Sequence, residues 1–542
     1  MNDSGPSKSA SSRFPIYLLL AIIVGFNFFI RWHLRDMPLE RDEGEYAYAG
    51  QLILQGVPPY QLAYNMKFPG TYFAYALLMA IFGQSAVGIH IGIILVTSIT
   101  AILVFLIGCE LLSDAGGLLA AATFVLLSAL PKAEGLAGHA THFVSLFVCA
   151  GVFTLLVAQK KKLVWLWLAS GVAFGLAILM KQHAVFFPAF ILVWFIWTEF
   201  RRGNLKAARV PALLFCGGCV VPFLITAIGF ACARLWGKFI YWTFDYARQY
   251  VSILPLRTAP EQFVTGFGPV FMSGMAAWFA GIAGMLFLLR PRPWKGPAGL
   301  AALLFIAGLA AACPGLYFRN HYFLMAMPGL ALLNAIFILT IAQAIKNSAG
   351  PRWLILLPAC LVVFILGNLI VNNCEIWFAA TPLEASRQLY GTSPYPEAVP
   401  VAEYLKKNTS PSDTIAVLGS EPEIFFLTDR RSASGYIYLY SLTEPQPLAS
   451  QMREQFMSEI EAAHPQYILF MNNFSSWYSV IVPDSFRSAA AIQNWWNDYS
   501  TNYLLTAAVK ISADKPSQFF WDPQALSQTD FTNDDILIYR HK

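Results

Sequence analysis

Residues 88–111 have the sequence GIHIGIILVTSITAILVFLIGCEL, an almost uninterrupted apolar run. A helix of about 20 such residues crosses the hydrocarbon core of a bilayer, so this run predicts a membrane span. Similar runs lie near residues 15–31, 115–131, 140–158, 163–180, 184–199, 210–232, 264–289, 298–314, 323–344 and 353–371. The sequence therefore predicts a polytopic α-helical membrane protein with about eleven transmembrane helices.

The composition supports this prediction and shows that the chain has two different regions. The 542 residues are 57% hydrophobic and only 12% charged, with a mean hydropathy of +0.54. Soluble chains carry about 25% charged residues, so disordered, fibrous and ordinary cytosolic proteins are excluded. Residues 1–372 contain 25 Lys and Arg but only 12 Asp and Glu. Residues 373–542 contain 11 Lys and Arg and 19 Asp and Glu. We therefore predict a transmembrane domain over 1–372 and a separate domain over 373–542.

The tail alternates helical and extended patterns, which predicts a small soluble α/β domain. It is large enough to fold by itself. No cysteine follows Cys374, so this domain needs a hydrophobic core and not a disulfide framework. The predicted helices cover 396–407, 446–463 and 488–499, and the predicted strands cover 414–418, 467–470, 503–511 and 536–539.

Short loops rich in Lys and Arg indicate the orientation, because such loops remain on the cytoplasmic side. A cytoplasmic N-terminus and an odd number of spans would then export the tail. The loops concerned contain Lys160, Lys161, Lys162, Arg201, Arg202, Lys206, Arg209, Arg290, Arg292, Lys295, Lys346 and Arg352.

Carboxylates are concentrated in one predicted outer loop. Five of the twelve before residue 373 lie between residues 36 and 45, namely Asp36, Glu40, Asp42, Glu43 and Glu45. From Gly44 onward the pattern predicts an amphipathic juxtamembrane helix. Taken alone, Asp42 would be the N-cap of that helix or part of a solvated loop.

Cations on the same predicted side change that interpretation. Lys67 lies in an aromatic turn, Lys181 between the fifth and sixth spans, and Arg319 with His321 between the ninth and tenth. An ionisable residue at the centre of a span costs about 2.5–3.5 kcal/mol in insertion free energy. Any one of these cations by itself could avoid that cost, because its long side chain can reach the lipid headgroups. Several cations together with an acidic cluster favour a polar functional site.

The residues Asp42-Glu43-x-x-Tyr46-Ala47, followed by Lys67-x-Pro69, resemble the polytopic GT-C glycosyltransferases. The family 39 protein O-mannosyltransferase-like enzymes and the lipid A aminoarabinose transferases are the most similar groups. The resemblance extends to Gly171-x3-Gly175 with Lys181, to His321-Tyr322-Phe323-Leu324 and to Tyr436-Ile437-Tyr438. It implies a GT-C-like fold in a bacterial-type inner (cytoplasmic) membrane, with the α/β domain in the periplasm.

The resemblance also implies roles for individual residues. Asp42 would be the catalytic base with Glu43 beside it, and Lys67 would contact the donor phosphate. Aminoarabinose transferases tend to have a basic residue where this chain has Glu45, so their donor and acceptor are not carried over. The family often has an aspartate after the third span. Whether Glu134 or a nearby histidine replaces it stays open.

The expected reaction is an inverting single displacement from a polyprenyl-phosphate sugar to a glycan, lipid or protein acceptor. It needs a base for the acceptor and cations for the departing phosphate. We assign the phosphate to Lys67, Lys181, Arg319 and His321, and acceptor binding or support to Glu45, Glu134, His139 and Tyr322. Trp242, Phe244 and Tyr246 would line a groove for the prenyl chain or form an interfacial aromatic belt.

Cofactors and competing classes of protein complete the predictions. The acidic cluster could hold a divalent metal ion, but the cations around it do similar electrostatic work, so no obligatory cofactor is expected. Membrane lipids are expected partners and nucleic acid is not. A lipid-linked sugar flippase or transporter would have polar groups near the midplane and internal repeats, which the sequence lacks. A ligase with a lipid-pyrophosphate donor and a sensor anchored by its spans are two further competing classes.

Overall fold

The computed structural model describes residues 10–288, 298–348, 350–479, 483–521, 523–527 and 535–542. The predicted cytoplasmic residues Arg290, Arg292 and Lys295 lie outside these ranges. The chain forms two compact units, each assembled from three separate segments. The first unit contains Met1–Leu34, Ile93–Ile225 and Ala259–Ala379, and the second contains Arg35–Gly92, Thr226–Thr258 and Ala380–Lys542.

Helices are the regular secondary structure among the described residues of the first unit. Short 3-10 or π-helical turns at Pro131–Ala133, Gln182–Val185, Pro314–Leu316, Asn320–Ala326, Arg352–Leu356 and Glu375–Ala379 connect or extend its longer helices. The longer helices are Ala10–His33, Asp114–Ser128, Ala140–Lys161, Trp165–Met180, Phe186–Arg201, Ala259–Ser273, Met275–Phe287, Gly299–Ala311, Met327–Lys346 and Leu357–Cys374, with most of Ala86–Leu111 and Leu205–Cys232.

The protein is a multi-pass membrane protein. Seven helices among the described residues are long and apolar enough to cross a bilayer: Arg13–His33, Ala86–Leu111, Ala140–Lys161, Gln182–Arg201, Leu205–Cys232, Asn320–Lys346 and Arg352–Ala379. Three other predicted spans are helical but shorter, at Asp114–Ser128, Trp165–Met180 and Gly299–Ala311. All eleven predicted runs therefore contain helices, while the number of complete crossings stays a prediction.

The predicted continuous span at 264–289 is wrong in form. The helix stops at Gly274, whose backbone is non-helical (φ −137°, ψ 30°), and a second helix follows immediately. The two helical parts, Leu256–Ser273 and Met275–Phe287, meet at 97°. The apolar run therefore contains a sharp bend. If the bent pair is counted as one span, the described residues contain eight spans.

Glycines let two helices of the first unit pack backbone to backbone. A Cβ atom on Gly171 would lie 2.1 Å from the Phe215 carbonyl oxygen, and one on Gly175 would lie 2.5 Å from the Cys219 oxygen. Small residues permit such close helix approach in membranes. The Gly171-x3-Gly175 motif therefore joins the helices Trp165–Met180 and Leu205–Cys232.

The second unit combines helices with one mixed sheet. Its strands are β1 (Thr414–Leu418), β2 (Arg431–Ser432), β3 (Tyr467–Asn472), β4 (Tyr503–Lys510), β5 (Gln518–Trp521) and β6 (Asp535–His541), in the order β2-β1-β3-β6-β4-β5. β1 pairs in parallel with β2 and β3, and the remaining pairs are antiparallel. Its helical segments are Arg41–Leu54, Gly70–Phe82, Trp236–Ile240, Tyr241–Tyr246, Ala247–Tyr250, Leu256–Thr258, Pro382–Tyr390, Tyr395–Asn408, Glu423–Thr428, Tyr440–Thr443, Ala449–Ala463, Phe474–Trp477, Pro483–Tyr499, Ser500–Asn502 and Pro523–Leu526.

The predicted elements of the tail are present. The β-branched and apolar residues of β1 and β3 are buried, as expected of central strands covered on both faces. The short strands β2 and β5 and the helix Glu423–Thr428 were not predicted. A strand of two residues and a helix of six carry too little periodicity to be recognised.

Candidate active site

The acidic loop forms the start of a capped helix in the second unit. The Glu40 side chain accepts hydrogen bonds from the backbone N–H groups of Asp42 (2.9 Å) and Glu43 (2.8 Å), and Glu43 accepts one from the Glu40 N–H. Glu40 is therefore the N-cap, and the interpretation of Asp42 as N-cap is wrong. Asp42 lies in the first turn, where a negative charge is favoured by the helix dipole.

The helix Arg41–Leu54 is enclosed within this unit. Every residue from Glu43 to Leu52 is buried, on both faces of the helix. A Cβ atom on Gly44 would lie 2.6 Å from the backbone nitrogen of Glu423, so only glycine permits this contact. The acidic motif is thus held against the C-terminal part of the chain and does not form an independent surface helix.

Asp42, Glu45 and Lys67 form an ion-pair cluster, called the acidic-helix cluster below. Lys67 Nζ donates to Asp42 Oδ1 at 2.9 Å and to Glu45 Oε2 at 2.6 Å, and Tyr72 donates its hydroxyl to Glu45 Oε1 at 2.6 Å. The Asp42 side chain is 25% exposed and that of Glu45 only 1%. Of these two carboxylates, Asp42 is the one that a substrate can reach.

Lys67 is held tightly as a cation. Its Nζ lies 4.6 Å from the ring centre of Tyr46 and 6.0 Å from that of Tyr438, within the range of cation–π attraction. Burial opposes the charge, but Asp42 and Glu45 outweigh it and raise the pKa of Lys67 well above its ordinary value. Much of the Lys67 charge is therefore already compensated by two carboxylates.

Glu43 lies next to His90. Its side chain is fully buried, and Oε1 lies 3.1 Å from His90 Nε2. His90 Nδ1 donates to the Arg35 carbonyl oxygen at 2.7 Å, because a carbonyl can only accept. His90 therefore links the Glu43 carboxylate to the backbone of Arg35 within the second unit. His90 was not among the predicted residues, although a histidine in an otherwise apolar run is a signal of function.

The C-terminal part of the second unit holds the start of the acidic helix. Arg41 Nε donates to the Ser420 carbonyl oxygen at 2.6 Å, Nη2 donates to Glu421 Oε1 at 3.2 Å, and Nη1 donates to the Tyr440 hydroxyl. The Tyr438 hydroxyl donates to the Arg41 carbonyl oxygen at 2.9 Å. We call Arg41, Ser420, Glu421, Tyr438 and Tyr440 the arginine clamp. The sequence did not predict it, and the alternating tyrosines at 436, 438 and 440 were its only visible signal.

A second cluster, the histidine cluster, lies in the first unit and contains Glu134, His139 and His321. Glu134 Oε2 lies 2.9 Å from His321 Nδ1 and 3.1 Å from His139 Nε2, and the two imidazole rings stack at 4.0 Å. Burial works against ionisation of Glu134, but the N–H groups of the two histidines outweigh it and lower its pKa below the ordinary range. The sequence left open whether Glu134 or a histidine has the role, whereas the structure places them together.

Arg31 shapes the turn that carries Glu134. This buried side chain donates to the carbonyl oxygens of Ser128 and Gly135, both at 2.7 Å, and to Asn27 Oδ1 at 3.1 Å. Glu134 lies between those two carbonyls and has a left-handed backbone (φ 54°), an uncommon conformation for a residue with a side chain. Arg31 therefore stabilises the backbone conformation that presents Glu134.

Tyr322 connects Lys181 to the histidine cluster. Lys181 Nζ lies 4.0 Å from the Tyr322 ring centre, and that ring lies 4.9 Å from the ring of His321. Lys181 follows the helix Trp165–Met180 in an extended conformation (φ −156°). The Arg319 guanidinium lies 5.4 Å from the Tyr317 ring. Lys181, Tyr322 and the histidine cluster are thus contiguous.

The aromatic residues assigned to a prenyl groove or a belt are placed differently. Trp242 and Tyr246 are buried inside the second unit, where Trp242 stacks on Tyr64 at 5.1 Å and the Tyr246 hydroxyl donates to Glu444 at 2.9 Å. Both predictions are wrong for these two residues, because they pack against other parts of their own unit. Phe244 is 43% exposed.

The two clusters offer different chemistry. The acidic-helix cluster presents one partly exposed carboxylate beside a fixed ammonium group, which suits removal of a proton. The histidine cluster presents oxygen and nitrogen atoms of the kinds that bind Zn²⁺ and related ions. If the enzyme requires a metal ion, the histidine cluster is a better candidate to bind it than the carboxylates of the acidic loop.

Comparisons with known proteins agree with this architecture. A family model described as dolichyl-phosphate-mannose-protein mannosyltransferase matches residues 66–226. An undecaprenyl phosphate-alpha-4-amino-4-deoxy-L-arabinose arabinosyl transferase 2 of Pseudomonas fluorescens is 26% identical over 314 residues, which cover 56% of this chain and 53% of that protein. The chain thus spans about half the length of this curated relative.

Two solved structures share the fold. ArnT from Cupriavidus metallidurans bound to undecaprenyl phosphate is similar over 98% of both chains, with a TM-score of 0.58 and 14% identity. The archaeal oligosaccharyltransferase AglB from Archaeoglobus fulgidus, in complex with an inhibitory peptide and a dolichol-phosphate, is similar over 98% of this chain and 76% of that chain. Its TM-score is 0.55 and its sequence identity is 11%. The predicted GT-C fold and the resemblance to this group are confirmed.

Proposed function

We propose that this chain, with its GT-C fold, is an integral membrane glycosyltransferase. It moves a sugar from a polyprenyl-phosphate donor to an acceptor on the outer face of the membrane. The observation that carries the proposal is the position of Asp42, a partly exposed carboxylate of the acidic motif that is hydrogen-bonded to Lys67. The family match and the fold support the same reaction class.

The proposed reaction is a single displacement with inversion. Asp42 takes the proton of the acceptor hydroxyl or amine while the acceptor atom bonds to the anomeric carbon. The bond from that carbon to the phosphate oxygen breaks, and polyprenyl phosphate leaves with the electron pair. A base positioned in this way typically contributes about 100-fold to 10,000-fold in rate.

Lys67 has two candidate roles in this scheme. Its hydrogen bonds to Asp42 and Glu45 suit it to hold both groups in a fixed orientation. Contact with the donor phosphate, as the resemblance implies, would require it to exchange one carboxylate for the phosphate. Lys181, Arg319 and His321 keep their predicted role at the phosphate, and Glu134, His139 and Tyr322 keep theirs in support.

The cellular setting is proposed from the same sources. The enzyme would lie in a bacterial-type inner membrane with a cytoplasmic N-terminus, and residues 373–542 would be periplasmic. The acceptor would be a glycan, a lipid or a protein.

Asp42→Asn tests the base directly. We expect transfer of sugar from labelled donor to fall about 100-fold or more, because an amide cannot take the proton. Asp36→Asn is the matched control, since Asp36 lies in the same segment, is 53% exposed and pairs only loosely with Arg35 at 3.5 Å. Both variants should insert and unfold like the wild type. Full transfer by Asp42→Asn would remove Asp42 as the base.

Lipid and glycan mass spectrometry of a strain lacking the protein distinguishes a transferase from a flippase and a ligase. Accumulation of a lipid-phosphate sugar on the outer leaflet, with loss of one glycan, supports the proposed transferase. Accumulation on the inner leaflet would indicate a flippase, and an accumulated lipid-pyrophosphate glycan would indicate a ligase. A chelator added to the transfer assay tests the need for a metal.

A further inference from the structure

A cavity of about 800 Å³ lies in the first unit, and its lining contains no residue of the histidine cluster. It is bounded by the end of the helix Ala140–Lys161 and the start of Trp165–Met180, and by the junction between Phe186–Arg201 and Leu205–Cys232. Apolar side chains, among them Leu156, Trp167 and Phe195, line part of it. Trp167 and Phe195 are largely buried, and the centres of their rings lie 4.4 Å apart. They therefore form an ordered apolar part of the lining.

Charged residues line the rest of the cavity. Lys160 donates to both oxygens of Glu110 at 2.8 Å, and Arg202 donates to Glu199 Oε1 at 2.7 Å. Lys162 is exposed and has no acidic partner within the residues that the structure describes. Three cations and two carboxylates therefore leave the lining with one uncompensated positive charge.

Exposed tryptophans indicate the depth of this cavity in the membrane. Trp165, next to the lining residue Val164, is 61% exposed, and Trp197, one turn before the end of its helix, is 59% exposed. Tryptophans concentrate at the level of the lipid headgroups. A cavity at that level is polar toward the headgroups and apolar toward the acyl chains.

We propose that this cavity binds one anionic phospholipid of the surrounding bilayer. The phosphodiester lies at Lys162, beside Lys160 and Arg202, and an acyl chain packs on Trp167 and Phe195. The single negative charge of a phosphodiester matches the uncompensated charge of the lining. Basic pockets between membrane helices bind anionic headgroups in this manner. The proposal does not depend on the glycosyltransferase activity.

The chain supplies matched controls for this site. Lys161 and Arg201 are exposed neighbours of Lys162 and Arg202, but they are not part of the lining. Replacing either member of a pair by alanine removes the same charge from the same loop. A general attraction to an anionic membrane would respond equally to both replacements, whereas a site would respond only to one.

Native mass spectrometry of the purified full chain with equal amounts of phosphatidylglycerol and phosphatidylethanolamine provides the test. We expect the wild type to retain one phosphatidylglycerol in preference, and Lys162→Ala and Arg202→Ala to weaken that retention about fivefold. Lys161→Ala and Arg201→Ala should retain it like the wild type, and Lys162→Arg should restore it. Thermal unfolding of each variant checks that the fold is intact.

Several outcomes would overturn the proposal. Equal losses in Lys161→Ala and Lys162→Ala would show a diffuse charge effect and no site. Equal retention of the two lipids would show unselective annular binding. Displacement of phosphatidylglycerol by inorganic phosphate would indicate a free-anion site. Preferential capture of undecaprenyl phosphate would assign the cavity to the prenyl lipid instead.

Discussion

Lys67 joins two carboxylates that would otherwise repel each other. Lys67→Ala leaves Asp42 and the buried Glu45 without their shared ammonium group, so we expect a loss of about 3 kcal/mol in the free energy of unfolding. Transfer should fall as well, because Asp42 loses the hydrogen bond that orients it. Thermal unfolding and the donor and acceptor KM values measure the two effects. A raised donor KM would support direct contact with phosphate.

The double variant Lys67→Met with Glu45→Gln separates stability from catalysis. Removing both charges should restore much of the stability without restoring transfer. Lys238→Ala is the control, since this exposed lysine also lies over a tyrosine ring, 5.2 Å from Tyr64, but has no carboxylate partner in the acidic-helix cluster. If Lys67→Ala behaves like Lys238→Ala, the ion pairs contribute nothing.

Glu423 should make stability depend on pH. It is fully buried, and neither carboxylate oxygen has a hydrogen-bond partner among the described residues. Burial together with the Glu421 charge raises the pKa of Glu423 well above the ordinary 4.5. The folded state therefore binds this proton more tightly than the unfolded state. Its contribution to stability is complete below pH 4.5 and is lost as pH rises through the folded pKa.

We therefore expect Glu423→Gln to remain stable at neutral and alkaline pH, where the wild type weakens. Melting temperatures measured from about pH 5 to about pH 9 test this difference. The exposed Glu403, replaced by glutamine, should leave the curve of the wild type unchanged. If the melting temperatures of Glu423→Gln and the wild type change with pH in the same way, Glu423 is not the source of the pH dependence.

The sequence identified the charged residues more successfully than their partners. Asp42 and Lys67 stood out because few charges occur in the apolar region, and the resemblance suggested their roles. Their mutual ion pair was not predicted, since it depends on a turn that brings residues 42 and 67 together. The Arg41–Glu421 contact joins positions 380 residues apart, and no local pattern can indicate such a pair.

The helix Arg41–Leu54 is positioned by the arginine clamp. The Arg41 guanidinium donates to Ser420, Glu421 and Tyr440 and so acts by positioning the helix, and we therefore expect Arg41→Met to lower kcat more than it changes either KM. Arg41→Lys should recover only part of the rate, because an ammonium group cannot reproduce the fork of donors to Ser420 and Glu421. Steady-state kinetics below the melting temperature measure this.

Glu421→Gln tests the same clamp from its other side and should give a smaller loss in kcat. Arg35→Met is the control, since Arg35 lies in the same segment and its ion pair with Asp36 is long. Unchanged kcat in Arg41→Met would show that the helix keeps its position without the clamp.

At the level of elements, periodicity and apolar length predicted most helices and the central strands. The exceptions have physical causes. Gly274 ends a helix inside an apolar run, and an apolar run does not reveal the direction of its axis. The helix Arg41–Leu54 appeared amphipathic from its sequence, but its residues Glu43 to Leu52 are buried, and the polar side chains among them face partners elsewhere in the second unit.

The second unit is assembled from three segments, which bears on whether the tail can fold alone. Phe425 packs 5.3 Å from Tyr48, and Tyr436 lies 5.1 Å from Tyr64, so apolar surface of the tail is covered by residues 35–92. We expect an isolated 380–542 fragment to be less stable than the same region in the full chain. Hydrogen exchange of both forms measures the difference.

The complementary truncation should affect the other partner. A chain ending at residue 379 should insert in the membrane, but its segment 35–92 should become sensitive to protease, because the contacts of Arg41 and Gly44 are lost. In the hydrogen-exchange experiment, equal protection of the isolated 380–542 fragment and of the same region in the full chain would show that the tail folds by itself, as the sequence alone suggested.

The arginine clamp also has a consequence for biosynthesis. Glu421 is translated 380 residues after Arg41, which takes about 20 to 80 s at usual elongation rates. During that interval the acidic helix is already outside the ribosome without the residues that bury it. The nascent chain therefore completes the arginine clamp only after residue 440 has been made, and we expect a product terminated before that residue to be inserted yet inactive.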